Sequence, residues 1–303
     1  MNQDLPDKVT LIEVGPRDGF QFEKKIIPTD LKIEIISGLL GAGVKQIQVT
    51  SFVNPDRVPQ MADAEDLVRR LPESADAIYS GLVLNTRGVQ RAHQAGLTHV
   101  EVSISASDTH SRHNTGMSFA RAVAQGKEMI GLAHQADLNI RVGIQCAFGC
   151  VYEGEIPRQR ILGLVRDYVS CGVDAIAISD TTGMADPVAV KKLLRMLLPE
   201  IGSIPIILHF HDTRGLGLAN VLAALQCGIT HFDTALAGMG GCPFLPGATG
   251  NIATEDTAHL MAAMGIATGI DISRVVPCSL RLENFLNTRF PGKIHHLPIP
   301  TNR

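Results

Sequence analysis

Short β-branched apolar runs alternate along the chain with longer stretches whose apolar positions recur every three or four residues, and Gly-rich or polar turns join the two. A parallel strand covered on both faces reads as an almost unbroken apolar run. Such runs predict strands at 9–14, 46–50, 78–84, 99–104, 140–146, 175–179, 204–211 and 231–235. Helical periodicity fills the gaps. One helix starts near Pro28-Thr29-Asp30 and carries Leu31, Ile35, Ile36, Leu39 and Leu40 on its apolar side. Another has Asp186 as N-cap and Pro187 in its first turn, and ends before Pro199. A third, at 216–226, stops at Cys227-Gly228. The phrases Gly41-Ala42-Gly43-Val44, Ala95-Gly96-Leu97 and Cys171-Gly172-Val173 read likewise as glycine C-caps feeding the next strand.

Eight β-then-α units in about 260 residues predict an α/β fold, a TIM (β/α)8 barrel over 1–270. The remainder, 271–303, is expected to be a short C-terminal helical extension packed on the barrel, with a further helix at 279–287 and a Pro-rich end. The competing architecture, a doubly wound open sheet, would carry a G-x-G-x-x-G after its first strand, and none is present.

A chain of 303 residues could hold one large barrel or two ordinary domains, but no Ser-, Pro- or charge-rich linker divides it. Hydrophobic content of 45% and a net charge of −3 describe a soluble globular chain with no bias toward nucleic acid. The absence of Trp argues against a base-stacking platform. No apolar run has the length of a membrane span, and the start, Met1 to Lys8, is short and polar, so the expected location is cytoplasmic. Six cysteines in a chain of this size do not make a disulfide framework.

Barrel active sites lie at the C-terminal ends of the strands, and chemically useful residues fall there repeatedly. The seventh run exits through His209-Phe210-His211-Asp212. Side chains alternate along a strand, so the two imidazoles share a face about 6.6 Å apart along the backbone and can converge on one metal ion. Alternatively, they are two polar residues hydrogen-bonded to neighbouring loops. Arg17 and Asp18 follow the first strand, Thr50-Ser51 the second, Asp180 the sixth, and Cys242 and Asn251 lie in Gly-rich segments after the eighth. Asp18 offers a carboxylate and Asn251 an amide oxygen. With the His pair they make a mixed N/O set that suits Mg²⁺ or Mn²⁺, with Zn²⁺ as a further option. Asp18 also reads as a turn residue and Asn251 as a helix N-cap. Arg17 could stabilise a developing enolate oxygen or close the barrel end in a salt bridge. Cys242 could move a proton from a flexible loop or simply be a small residue in a glycine turn. Asp180 could orient substrate or cap its own Asp-Thr-Thr-Gly turn. Cys146 and Cys150, without a second pair, read as packing.

Taken together, these segments resemble the 3-hydroxy-3-methylglutaryl-CoA lyase family, within a TIM-barrel metallolyase superfamily that also includes isopropylmalate and homocitrate synthases. The likeness covers about Val9 to Leu280. It rests on Glu13-Val14-Gly15-Pro16-Arg17-Asp18-Gly19, Thr50-Ser51-Phe52-Val53, Val58-Pro59-Gln60-Met61, Cys146-Ala147-Phe148-Gly149-Cys150, Tyr152-Glu153-Gly154, Asp180-Thr181-Thr182-Gly183, His209-Phe210-His211-Asp212-Thr213, Gly238-Met239-Gly240-Gly241-Cys242-Pro243 and Gly250-Asn251-Ile252-Ala253-Thr254-Glu255-Asp256. The resemblance implies a divalent cation held by Asp18, His209, His211 and Asn251, with Arg17 at a thioester carbonyl and Cys242 as proton-shuttling thiol. The implied reaction is a retro-Claisen cleavage of 3-hydroxy-3-methylglutaryl-CoA to acetyl-CoA and acetoacetate. It also implies self-association, as a dimer or larger.

The chain departs from the family pattern in three places. Gln48 stands where the family carries a catalytic glutamate, keeping its shape without its charge or basicity. Phe22 replaces an Asn near Lys24. Arg214 and Leu216 replace a common Tyr and Gln, which places a second cation near the rim. These changes leave open a related substrate such as citramalyl-CoA. They also leave open a Claisen-type synthase, disfavoured by the short tail, or a catalytically silent metal- or CoA-binding homologue.

Overall fold

A computed structural model describes residues 5–241 and 249–298. Its eight strands are β1 (Thr10–Glu13), β2 (Gln46–Ser51), β3 (Ile78–Val83), β4 (His99–Ser105), β5 (Asn139–Gln145), β6 (Ala175–Ser179), β7 (Ile206–His209) and β8 (His231–Thr234). Every neighbouring pair is parallel, and β1 pairs with both β2 and β8, closing the barrel. The expected TIM barrel is therefore the fold. Among the described residues no helix is long and apolar enough to cross a membrane.

The outer faces of the strands pack on the helices in one continuous apolar core, with Ile47, Val49, Val102, Ile144 and Phe232 among its members. The inside of the barrel holds a small apolar plug, Ile12, Val14, Ala177, Ile207 and Ala235. Above it the interior turns polar, with Gln48, Glu101, Ser103 and Asp233 all buried. Charge inside a barrel is tolerable only where partners satisfy it, so this polar storey is where function is to be sought.

Two elements differ from the sequence reading. Between β4 and β5 the chain forms a short helix, Asp108–Thr115, before the long helix Phe119–Gln135. The short one is polar nearly throughout and has no apolar stripe to betray it. The C-terminal helix runs Ile272–Leu286, starting seven residues before the expected 279. Pro277 lies inside it. An internal proline costs a helix about 3 kcal/mol, and burial of Val275, Val276, Cys278 and Leu282 offsets that cost. This helix packs on the helices Thr29–Gly41 and Thr254–Ala263.

Candidate metal centre at the mouth of the barrel

β1 leaves the barrel through a wide π-helical turn, Gly15–Gly19, a local geometry frequent at functional sites. The amide of Asp18 donates to the Val14 carbonyl at 2.6 Å. In this turn the consecutive residues Arg17 and Asp18 are both buried at the barrel mouth. Their side chains form an ion pair through Arg17 Nη1 and Asp18 Oδ1.

β7 delivers the histidines as the strand alternation requires. Phe210 faces the outer core, its ring 5.9 Å from that of Phe148, while His209 and His211 face the mouth with their Nε2 atoms 3.1 Å apart. Asp18 Oδ2 lies 3.9 Å from the first Nε2 and 4.0 Å from the second. The same oxygen accepts a hydrogen bond from Asn251 Nδ2 at 2.7 Å. Asn251 is not a helix cap: the helix that follows begins at Thr254 after Ala253, and Asn251 instead pairs with His211 in an isolated bridge. Its Nδ2 also donates to the Met239 carbonyl at 2.9 Å. Gly240, at φ +111°, makes this approach feasible, because a Cβ there would sit 2.5 Å from Asn251 Nδ2.

The donor set fits a divalent cation on three grounds. His209 Nδ1 lies 3.1 Å from Asp233 Oδ2, so Nδ1 donates to that carboxylate and Nε2 is the nitrogen turned to the mouth. This carboxylate–imidazole pairing is how metal-bound histidines are usually oriented. Burial, helped by the charges of His209 and Arg17, pushes His211 down to about 3, so its ring is neutral and can offer a lone pair. Finally, Asn251 Oδ1 is buried with no hydrogen-bond partner among the described residues, an orphan that a cation would satisfy. Burial pushes the Asp18 carboxyl up, but Arg17, the two imidazoles and Asn251 together hold it below its ordinary value, as an anion.

Behind these groups runs a ring of polar contacts that the sequence did not disclose. Arg17 Nε donates to Gln48 Oε1, and Gln48 Nε2 donates to Glu101 Oε2 at 2.8 Å. Glu101 Oε2 lies 3.0 Å from Arg141 Nε. Arg141 Nη1 donates to Asp233 Oδ1 at 2.9 Å, and Asp233 returns to His209. Burial works against the Asp233 anion, but Arg141 and the His209 hydrogen bond hold its carboxyl well below the ordinary range. Glu101 lies between Val100 and Val102 and Arg141 between Ile140 and Val142 in their strands, whereas Asp233 sits in the short strand His231–Thr234, apolar only at Phe232. A charged residue in a strand that must be covered on both faces is a readable signal, and it was the one available.

The mouth opens into a cavity of about 600 Å³, counted out to its opening. Arg17, Asp18, His209 and His211 form part of its lining, with Phe22 and Glu101 beside them. The helix Asp108–Thr115 adds His110 and Asn114 to the wall.

The other expected residues are placed as follows. Gln48 is fully buried and bridges Arg17 to Glu101. Asp180 Oδ1 accepts from the amides of Met184 and Ala185 at 2.7 and 3.1 Å, capping its turn. Its Oδ2 is buried without a partner among the described residues, and burial raises its carboxyl to about 6. The cavity wall at that strand end is made by Ser179 and Thr181. Arg214 donates to the carbonyls of Thr182 and Gly183 at 2.7 and 2.6 Å, so it clamps a loop instead of offering a second cation to the substrate. Cys146 and Cys150 are buried free thiols. Cys242 lies outside the described residues.

Comparison with known proteins agrees with this geometry. The family model described as HMGL-like matches residues 8–280. The cytoplasmic 3-hydroxy-3-methylglutaryl-CoA lyase of Mus musculus is 40% identical over 272 residues, covering 90% of this chain and 79% of the relative. The (R)-citramalyl-CoA lyase of Chloroflexus aurantiacus is 38% identical, covering 95% and 94%. A solved HMG-CoA lyase from Acinetobacter baumannii, in complex with coenzyme A and 3-methylmalate, superposes with a TM-score of 0.93 at 38% identity, covering 98% of this chain and 97% of that one. With a barrel closed in the same way over almost the whole length, the chain belongs to the HMGL-like family.

Proposed function

We propose that the chain is a metal-dependent carbon–carbon lyase that cleaves 3-hydroxy-3-methylglutaryl-CoA to acetyl-CoA and acetoacetate. The observation that carries this reading is the convergence of Asp18, His209, His211 and Asn251 beside Arg17 at the open end of the barrel. A divalent cation there, Mg²⁺ or Mn²⁺ by the mixed oxygen and nitrogen donors, supplies Lewis acidity toward a hydroxyl and a carboxylate oxygen. Arg17 is fixed by Asp18 and Gln48 with donors left over for a thioester oxygen, where negative charge develops as the bond between C2 and C3 breaks. A base takes the hydroxyl proton, the electron pair of the C2–C3 bond becomes the acetyl-CoA enolate, and the former hydroxyl carbon becomes the ketone of acetoacetate. Protonation of the enolate carbon is assigned to the Cys242 thiol. Gln48 acts as a positioning residue for Arg17. Glu101 is the carboxylate that reaches the cavity on that side. Asp180 shapes the loop after β6. Self-association and a cytoplasmic location belong to the same proposal, as does a compact extension over 271–303.

A second substrate is favoured by one specific feature, the Phe22 ring on the cavity wall, together with the citramalyl-CoA lyase relative. Citramalyl-CoA would give pyruvate in place of acetoacetate. Purified enzyme with Mg²⁺ or Mn²⁺ is tested on both thioesters by coupled assays for the two products. Faster release of acetoacetate supports the main reading, and faster release of pyruvate selects the second. If neither product forms with metal present, both readings are contradicted.

A further inference from the structure

A second cluster of metal-ligating side chains lies away from the mouth, in the C-terminal segment. Glu283, near the end of the helix Ile272–Leu286, meets His295 and His296 from the 3₁₀ turn Ile294–His296. Successive side chains normally diverge, but here both rings reach the same carboxylate. The Nε2 atoms lie 3.2 and 3.0 Å from Glu283 Oε1, and the ring centroids are 3.8 Å apart. The His295 side chain is fully buried, that of Glu283 is 13% exposed, and that of His296 is 19% exposed.

Three ligand atoms meet at one point in this corner. Glu283 Oε1 accepts the Phe290 amide at 2.7 Å, and its Oε2 lies 3.3 Å from His296 Nε2. His296 Nδ1 donates to the Gly292 carbonyl at 3.0 Å, because a carbonyl only accepts. His295 Nδ1 is buried with no hydrogen-bond partner among the described residues. Both Nε2 atoms and the carboxylate thus converge where one cation could be shared. An imidazole whose other nitrogen donates to a backbone carbonyl is a common preparation for a metal ligand.

We propose that Glu283, His295 and His296 form a structural transition-metal site that takes a Zn²⁺-class ion, with the exposed edge of His296 leaving room for a water as fourth ligand. Two imidazoles and a carboxylate suit Zn²⁺ better than Mg²⁺. Such an ion would clamp the final segment to the barrel. Gly292 donates to the Ala237 carbonyl at 2.8 Å, and Lys293 and Ile294 donate to Asp256. A Cβ on Gly292 would lie 2.8 Å from that carbonyl and 2.9 Å from His295 Nδ1. Ala237 leads directly to Met239, whose carbonyl holds Asn251, so the clamp braces the base of the catalytic loop from outside.

The test uses the full chain, stripped with chelator and saturated with Mg²⁺, then dialysed against ZnCl₂ and measured by elemental mass spectrometry. Wild type should retain one more zinc per chain than His296→Gln. Because that variant changes none of the four groups at the mouth, the loss of one zinc reports this site. Zinc should also raise the Tm of wild type more than that of the variant. Equal zinc content in the two proteins overturns the proposal. Should His296→Gln fail to fold, His296→Cys decides: with Co²⁺ it should show a thiolate-to-metal charge-transfer band, and the absence of that band overturns the proposal too.

Discussion

Replacing Gln48 by glutamate restores the residue type that the resemblance associates with this position, yet the surroundings in this chain predict a loss of stability. Gln48 Nε2 donates to Glu101 Oε2 at 2.8 Å. In Gln48→Glu two carboxylate oxygens would face each other at that distance with no hydrogen between them. At an effective dielectric of about 20, two unit charges so close repel by about 6 kcal/mol. The pair has a less costly option, which is to keep one proton between them. Holding a proton at pH 7.5 on a group that ordinarily titrates near pH 4.3 costs about 4 kcal/mol, and this caps the penalty. The hydrogen bond regained offsets about 1 kcal/mol, leaving a loss of about 3 kcal/mol and a Tm lowered by roughly 5–10 °C. The shared proton is bound in the folded state and released on unfolding above about pH 4.3, so the deficit grows as pH rises, by at most about 1.4 kcal/mol per unit. Thermal unfolding of wild type, Gln48→Glu, Glu101→Gln and the double variant at pH 6 and pH 8 measures this. The double variant exchanges acid and amide and should recover much of the loss. A Gln48→Glu protein as stable as wild type at both pH values would refute the reasoning.

Three further outcomes are expected. Arg141→Met strands Glu101 and Asp233 as buried anions and should cost about 3–5 kcal/mol; since Asp233 orients His209, affinity for Mn²⁺ should fall about tenfold or more, and denaturant unfolding with unchanged Cm would count against it. Glu13 is pushed up to about 8 by burial. It therefore binds a proton in the folded state between pH 4.5 and 8 that the unfolded chain has lost, and wild type should lose stability relative to Glu13→Gln as pH rises through that window; parallel stability–pH curves would contradict this. Gly240→Ala should weaken Mn²⁺ binding with little change in the circular dichroism of the barrel, because the new Cβ collides with Asn251 Nδ2; unaltered affinity would mean that the amide is not held as described.

The barrel was legible because strands covered on both faces leave long apolar runs, and because glycine stops punctuate each helix. The mouth was legible for a related reason: Arg17, Asp18, His209 and His211 are the first polar residues after such runs, where a barrel exposes its chemistry. The ring through Glu101, Arg141 and Asp233 was not, since its partners come from three strands far apart in sequence and only register brings them together. The cavity wall at His110 and Asn114 was hidden in a polar helix with no periodic stripe. The role of Asn251 as a partner of Asp18 depends on Gly240 leaving space, which is a property of backbone conformation and not of residue type. The start of the last helix was misplaced because Pro277 signals a break that packing overrides.

The most direct test is anomalous diffraction from crystals soaked in Mn²⁺. One strong peak should lie within about 2.0–2.3 Å of an Asp18 oxygen, both Nε2 atoms of the His pair and Asn251 Oδ1. No peak at the barrel mouth, or a peak held by other side chains, would contradict the metal centre and the chemistry built on it.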